Sequence, residues 1–169
     1  MDIVIVGAGT IGSYVASFMS KKDVNVTVID TDERKLDLLS RENDVATRLG
    51  SGTDWRLLDE LTEFSPSLIL ALTQNDETNL VVSSIAKNLG YSQAIARVRQ
   101  EHFFNQVRLD FPRLFFVDQF IGPEFLAAQD ILKLISLPGS IEVQSFSHGA
   151  IYMRTLRVPL SWNRGHKKL

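Results

Sequence analysis

Short apolar runs recur along the chain at residues 3–6, 26–29, 45–49, 68–72, 94–98 and 114–117. Most are apolar at consecutive rather than alternate positions, the pattern of strands covered on both faces. The segments between them have a different period. Ile11, Val15 and Phe18 recur at three- and four-residue spacing, and so do Leu36 with Leu39, Leu57 with Leu61, and Leu80, Val81, Ile85 and Leu89. That spacing predicts one buried helical face in each segment. Asp30-Thr31-Asp32 and Asp54 stand as capping groups before the second and third, and Gly90 stops the fourth. Strands alternating with helices imply βαβ units, and right-handed crossovers wind them into a doubly wound parallel sheet. The end of the chain differs. Residues 123–137 predict one long amphipathic helix stopped by Pro138-Gly139, and residues 141–146 and 151–158 alternate about residues 147–150 as a β-hairpin.

Composition narrows the class. The chain has 169 residues, 44% hydrophobic and 22% charged, which suits one medium globular domain with a small appendage. No apolar run reaches the 18 or so residues of a membrane span, and the N-terminus opens into a strand rather than a leader. A cytoplasmic protein without direct membrane insertion is therefore expected. The absence of cysteine excludes disulfides, cysteine-ligated zinc and thiol nucleophiles. A net charge of −2 gives no reason to expect a nucleic-acid partner. The charge is uneven, however. Residues 1–142 carry all 20 acids against 13 of the 18 basic residues, and residues 143–169 carry five basic residues and no acid. Such a tail is either a solvated end or a contact for an acidic surface.

Candidate chemistry begins at Gly7-Ala8-Gly9-Thr10-Ile11-Gly12, a G-x-G-x-x-G directly after an apolar strand and opening a helix, with Asp30 ending the next strand. That context makes a weak motif specific for dinucleotide binding and the sheet Rossmann-type. Gly7 permits the tight turn, Gly9 lets a pyrophosphate approach the backbone, and Gly12 lets the helix close on the strand. Asp30 would accept from ribose hydroxyls and repel a 2′-phosphate, favouring NAD(H) over NADP(H). Arg34, one turn further on, is expected as a solvated helix residue; turned toward the ribose it would soften that preference. Two more loops fall at strand ends, where such folds keep their ligand crevice: Gly50-Ser51-Gly52, and the segment from Thr73 and Gln74 to Glu77. Thr73 is placed to meet a phosphate or ribose, whereas Asp76 is expected to cap the following helix. Arg97 and Arg99 share one face of the fifth strand and require anions, either phosphates or carboxylates such as Asp76, Glu77 and Glu101. Equipment for hydride transfer is missing. No tyrosine is followed by lysine four positions on, and His102, His148 and His166 have no metal-ligand spacing.

Several of these pieces together resemble the N-terminal TrkA (RCK/KTN) regulatory domain of potassium uptake systems. The strand–glycine loop of residues 3–12 and residues 26–32 fit many dinucleotide domains. Residues 71–79 (with Thr73, Asp76, Glu77 and Asn79) and Ile95-Ala96-Arg97-Val98-Arg99 are more specific to that family. The resemblance extends over residues 1–160. It implies a doubly wound Rossmann-type α/β domain at 1–137 with an added C-terminal helix and β-hairpin. Residues 138–169 would be the hairpin extension and the start of a further C-terminal domain. It also implies a non-catalytic, cytoplasmic nucleotide-binding subunit that gates a membrane potassium transporter. The subunit would pair through the late helix and hairpin into a homo-oligomer or ring. Carried over position by position, the cofactor contacts would be Gly7, Ala8, Gly9, Thr10, Ile11, Asp30, Thr73, Gln74 and Arg97, with Gly50, Ser51 and Gly52 on the adenine side. NAD(H) is the first ligand implied, with ATP or ADP at the same site. The alternative from a different class is the cofactor domain of an NAD-dependent oxidoreductase without its substrate domain.

Overall fold

Apolar residues at consecutive positions build the centre of a six-stranded sheet. In the computed structural model, which describes residues 1–104, 108–146 and 151–158, the strands are β1 (Asp2–Val6), β2 (Asn25–Asp30), β3 (Ala46–Leu49), β4 (Leu68–Ala71), β5 (Gln93–Arg97) and β6 (Gln119–Ile121). All five pairings are parallel and the spatial order is β3-β2-β1-β4-β5-β6. The order reverses between β1 and β4, which places the ligand crevice of such sheets at their C-terminal ends.

Alternation along β1 divides the core. Ile3 and Ile5 face helices α1 (Thr10–Met19) and α2 (Glu33–Glu42), where they pack with Ala16, Val28, Leu36 and Leu39. Val4 and Val6 face the other layer, with Leu58 of α3 (Trp55–Glu60) and Val82 and Ala86 of α4 (Asp76–Asn88). Side chains of neighbouring strand residues point to opposite faces, so a strand buried on both sides must be apolar throughout. A third cluster, Leu80, Ala96, Val98, Phe103 and Val117, closes the β5–β6 edge.

The sixth strand lies further along the chain than residues 114–117. Those residues begin at the end of a short helix, α5 (Phe111–Leu114), and continue into a turn where Phe116 has φ 55°. Asp110 starts the helix by accepting from the Arg113 amide at 3.1 Å, and Pro112 sits in the first turn, where its missing N–H leaves no bond unmade. Phe111 and Phe115, one turn apart, pack on the third cluster, while Leu114 and Phe116 are exposed. The apolar run there follows a helical turn and not a strand.

Tyr91 fastens the second layer. It is buried, and its hydroxyl donates to the Leu58 carbonyl at 2.9 Å. Burial first, and the Asp59 carboxylate second, push its phenol up to about 12. An unfolded tyrosine ionises near pH 10, so between about 10 and 12 only the unfolded chain releases this proton. Ionisation of Tyr91 leaves stability unchanged below about pH 10, and stability falls as pH rises through that window, by on the order of 2 kcal/mol. Urea melts at pH 8 and pH 11 should show Tyr91→Phe about 1 kcal/mol less stable at pH 8 and much closer to wild type at pH 11. An equal deficit at both values would contradict the assignment.

The chain forms two compact units, residues 1–122 and 123–169. The second contains α6 (Pro123–Ser136) and an antiparallel pair, β7 (Ser140–Phe146) and β8 (Ile151–Leu156), paired from Phe146↔Ile151 back to Ser140↔Leu156 with one register shift near Ser140. Arg154 braces the start of β7, its Nε donating to Ser140 Oγ at 2.9 Å. No residue of α6 is buried, and Phe125, Ile131, Leu132 and Ile135 are each more than half exposed. The expected hairpin turn at 147–150 with His148, and the basic end with Arg164, His166, Lys167 and Lys168, lie outside the described residues.

Candidate functional site

The glycine loop is shaped by two opposite demands. Gly7 has φ +107°, and a Cβ there would stand 3.0 Å from the Thr73 amide nitrogen and 3.1 Å from the Leu72 carbonyl carbon, so both the turn and the closeness of β4 require glycine. Gly12 is buried, and a Cβ there would stand 1.8 Å from the Gly7 carbonyl oxygen, so α1 rests on the loop through a bare backbone. Gly9 is different. It is the N-cap of α1 in an ordinary extended conformation, and a Cβ there would meet nothing within 4 Å. No side chain caps this helix and its first turn holds no acid, whereas Asp32 caps α2 by accepting from the Arg34 amide at 3.0 Å. The first N–H groups of α1 are thus left to an anion.

Asp30 ends β2 beside this loop. Its Oδ2 accepts from the Ala8 amide at 2.6 Å and its Oδ1 from the Asp32 amide at 2.9 Å. Because Asp32 does the capping, Asp30 keeps lone pairs for hydroxyl donors. Gly50 N donates to the Asp30 carbonyl at 3.0 Å, which brings the loop after β3 against β2. Gly52 lies buried in that loop, and a Cβ there would approach Val6 Cγ1 to 2.3 Å. Arg34 is exposed and away from the cleft; Lys35 lines it instead, 3.8 Å from Asp32.

The loop after β4 is held from beneath. Asn75 is the N-cap of α4, accepting from the Thr78 amide at 2.6 Å. This corrects the expectation for Asp76, which lies inside the first turn and turns inward: its buried Oδ2 accepts from the Arg99 and Gln100 amides at 2.9 and 2.8 Å. Arg99 Nε stands 3.8 Å from Asp76 Oδ1, and its guanidinium donates to the Gln74 carbonyl. Of the two alternatives for this arginine, the carboxylate is realised. Beside Asp76 lies Asn79, fully buried, whose side chain bonds both Thr73 and the Arg97 carbonyl. Composition and spacing alone give Asn79 no role. Its signal was a polar residue in the core-facing stripe 79, 82, 83 and 86 of α4, all of them buried.

These loops converge on a cleft of about 690 Å³ at the C-terminal edge of the sheet. Gly7, Gly9, Thr10, Ile11, Asp30, Gly50, Ser51, Gly52, Thr73, Gln74 and Arg97 all line it. Ala8 does not; it is buried and contributes its amide to Asp30. The ionisable groups lining the cleft are Asp30 against Lys35, Arg97 and Arg99, a cationic balance suited to phosphates. A hollow of about 710 Å³ at the opposite edge, by Asp2, Asn25, Asp44 and Arg48, has neither a glycine loop nor a helix N-terminus aimed into it. Among the described residues there is no cluster of three or more metal-ligating side chains, and no helix is long and apolar enough to cross a membrane. Tyr14 is exposed on α1, Tyr91 is bonded to Leu58, and neither these nor His102 lines the cleft.

Residues 3–110 match the family model of the TrkA-N domain. Over 158 residues the chain is 32% identical to a Trk system potassium uptake protein TrkA homolog from Archaeoglobus fulgidus, covering 94% of this chain and 36% of that protein. It spans about a third of the length of such relatives. Among solved structures, the NAD(P)-binding domain of an exopolyphosphatase-related protein from Archaeoglobus fulgidus superposes with a TM-score of 0.67 at 18% identity, over 79% of this chain and 96% of that one. The Kef CTD of Shewanella denitrificans in AMP-bound form gives 0.62 at 19% identity, over 81% and 82%. The Rossmann-type sheet is common to them, and the family match runs from β1 through Arg97 at the end of β5 and Arg99 just past it to Asp110, the residue before α5. The chain belongs to the TrkA-N domain family.

Proposed function

We propose that this domain is a non-catalytic nucleotide sensor that regulates a membrane potassium uptake system. The observation that carries the reading is the uncapped N-terminus of α1, with open space above Gly9 and the Asp30 carboxylate beside it. The residues present fit an adenine nucleotide: the N–H groups at Gly9–Ile11 for phosphate, Asp30 for the adenosine ribose, the Gly50–Gly52 loop for the adenine side, and Thr73, Gln74 and Arg97 beyond β1. NAD(H) is the preferred ligand, with ATP and ADP sharing the same ribose and phosphate contacts. The AMP-bound Kef CTD, of similar fold, supports an adenine nucleotide. The ionisable residues lining the cleft are of ribose- and phosphate-binding types. The oxidoreductase alternative needs in addition a group placed for proton transfer, and the sequence offers no such arrangement.

The exposed apolar residues of α6 and of β7–β8 support pairing of the domain with a second copy, and further copies would close a ring. The likeness to TrkA proteins supports a potassium transporter subunit as the partner, with the sensor held at the inner face of the membrane through it. Regulation then follows from differential affinity: a nucleotide that binds one assembly geometry more tightly shifts the population toward it. Calorimetry with NADH, NAD+, ATP, ADP and NADPH, paired with small-angle scattering, tests this. Binding of one of the first four, NADPH at least about tenfold weaker because of Asp30, and a ligand-dependent change in oligomer shape are expected. No binding at millimolar concentration would overturn the ligand assignment.

A further inference from the structure

Asp76 is buried, 2% exposed, and no other charged side chain among the described residues is. It neither caps α4 nor lines the cleft. Its Oδ2 accepts from the Arg99 and Gln100 amides. Its Oδ1 has no hydrogen-bond partner among the described residues and stands 3.8 Å from Arg99 Nε. Two neutral amides hold a carboxylate in place but leave its charge, so Arg99 is the group that answers it. Arg99 lines the cleft with its side chain 45% exposed, and its guanidinium donates to the Gln74 carbonyl. The cleft's other such pair, Lys35 with Asp32, also spans 3.8 Å, but both side chains are open to water. Water and salt screen that pair, and they screen the buried Asp76 much less.

We infer that Asp76, acting through Arg99, is a positioning residue that limits how many phosphate charges the cleft favours. One carboxylate and three cations line the cleft, and Asp76 makes the balance two against three. The net positive charge that a ligand meets thus falls from two to one. A phosphate that reaches Arg99 meets a guanidinium already matched from within and directed onto Gln74. The N–H groups at the start of α1 still hold phosphate by hydrogen bonds, which do not depend on Asp76. A diphosphate, free or within a dinucleotide, is therefore the class accepted, and a third phosphate adds no affinity. The inference rests on the nucleotide-sensor reading and gives it a limit on ligand charge.

AMP, ADP and ATP differ only in their phosphates, so calorimetry of the full chain with these three is the test, without magnesium and with NADH as reference. Wild type should bind ATP within about twofold of ADP. Asp76→Asn keeps an oxygen for the two amides and removes the charge. It should tighten all three in order of ligand charge, AMP about threefold and ATP about tenfold. Arg99→Gln should loosen them in the same order, and Arg99→Lys, which keeps the charge, should bind as wild type does. The double variant Asp76→Asn with Arg99→Gln restores the balance and should return all three to within about twofold of wild type. A merely structural Asp76 would change all three by one factor, and that result would overturn the inference. So would a wild type that binds ATP well above ADP. A double variant as weak as Arg99→Gln alone would put Arg99 directly on phosphate and overturn it too. If Asp76→Asn does not fold, the arginine variants decide: equal losses in Arg99→Lys and Arg99→Gln overturn the inference. Binding of NADH without any of the three overturns it alone, and binding of none of the four overturns the sensor reading with it.

Discussion

Gly12→Ala should destabilise the sheet unit by about 3 kcal/mol, although alanine is the better helix former. Helix propensity favours the substitution by about 1 kcal/mol in a helix interior. Packing opposes it more strongly. The new Cβ would lie 1.8 Å from the Gly7 carbonyl oxygen and 3.0 Å from its carbonyl carbon. Ordinary contact needs more than 3 Å, and both atoms are backbone, so no rotamer change relieves the clash. Either α1 lifts off β1 or the Gly7 turn deforms. A lifted α1 would loosen Ala16, Ile11 and Val15 from the layer that holds Ile5 and Val28. A deformed Gly7 would break its amide bond to the Ile29 carbonyl, now 2.8 Å. Against a typical total of about 5–15 kcal/mol, the loss is large enough to read in any denaturation curve. Urea unfolding with an unchanged slope and a lowered midpoint is the expected signature. A variant as stable as wild type would mean that the helix does not sit on the turn as described.

The parts legible in the sequence are those where local pattern and tertiary demand coincide. β1, β2, β4 and β5 are apolar at successive positions because two helical layers cover them, and the helical segments that alternate with them mark these runs as strands. The glycine loop is legible because each glycine has its own steric reason. The sixth run fails as a strand for a related cause: apolar residues at 111 and 115 satisfy a helical face while Leu114 and Phe116 point outward, and a run of four cannot distinguish the two. The capping assignment fails at Asp76 because two neighbouring residues, Asn75 and Asp76, are both good capping types. Which of them caps is settled by Asp76 turning inward to the amides of residues 99 and 100, more than twenty positions away. Asn79 belongs to the same class. Its value lies in four bonds to Thr73 and Arg97, and only the assembled β4–β5 edge brings those partners together. Local spacing reveals cradles built by one turn of chain, and it misses polar side chains whose partners come from another strand.

Gly9→Asp should separate stability from binding, moving them in opposite directions. The position has φ −78° and ψ −172°, the extended conformation of an ordinary N-cap, and its Cβ would enter open space. Aspartate is among the best N-caps, and a negative charge there also complements the helix dipole. The folded unit should therefore gain a few tenths to about 1 kcal/mol. The same carboxylate would take the N–H groups at the start of α1 that are otherwise left for phosphate, fill the space above Gly9, and repel the incoming anion. Loss of two charge-assisted hydrogen bonds alone is worth about 3 kcal/mol or more, so nucleotide affinity should drop at least about a hundredfold. Gly9→Asn caps equally well without the charge, so the difference between the two variants isolates the electrostatic part. Thermal melts and calorimetry on the two variants decide the matter. A higher midpoint with lost binding is the expected pair of results. Retained nucleotide affinity in Gly9→Asp would show that phosphate does not bind at this helix terminus, and the cleft would need another ligand. A lowered midpoint would show that Gly9 is required by the fold itself, and the open space above it would lose its meaning as a site.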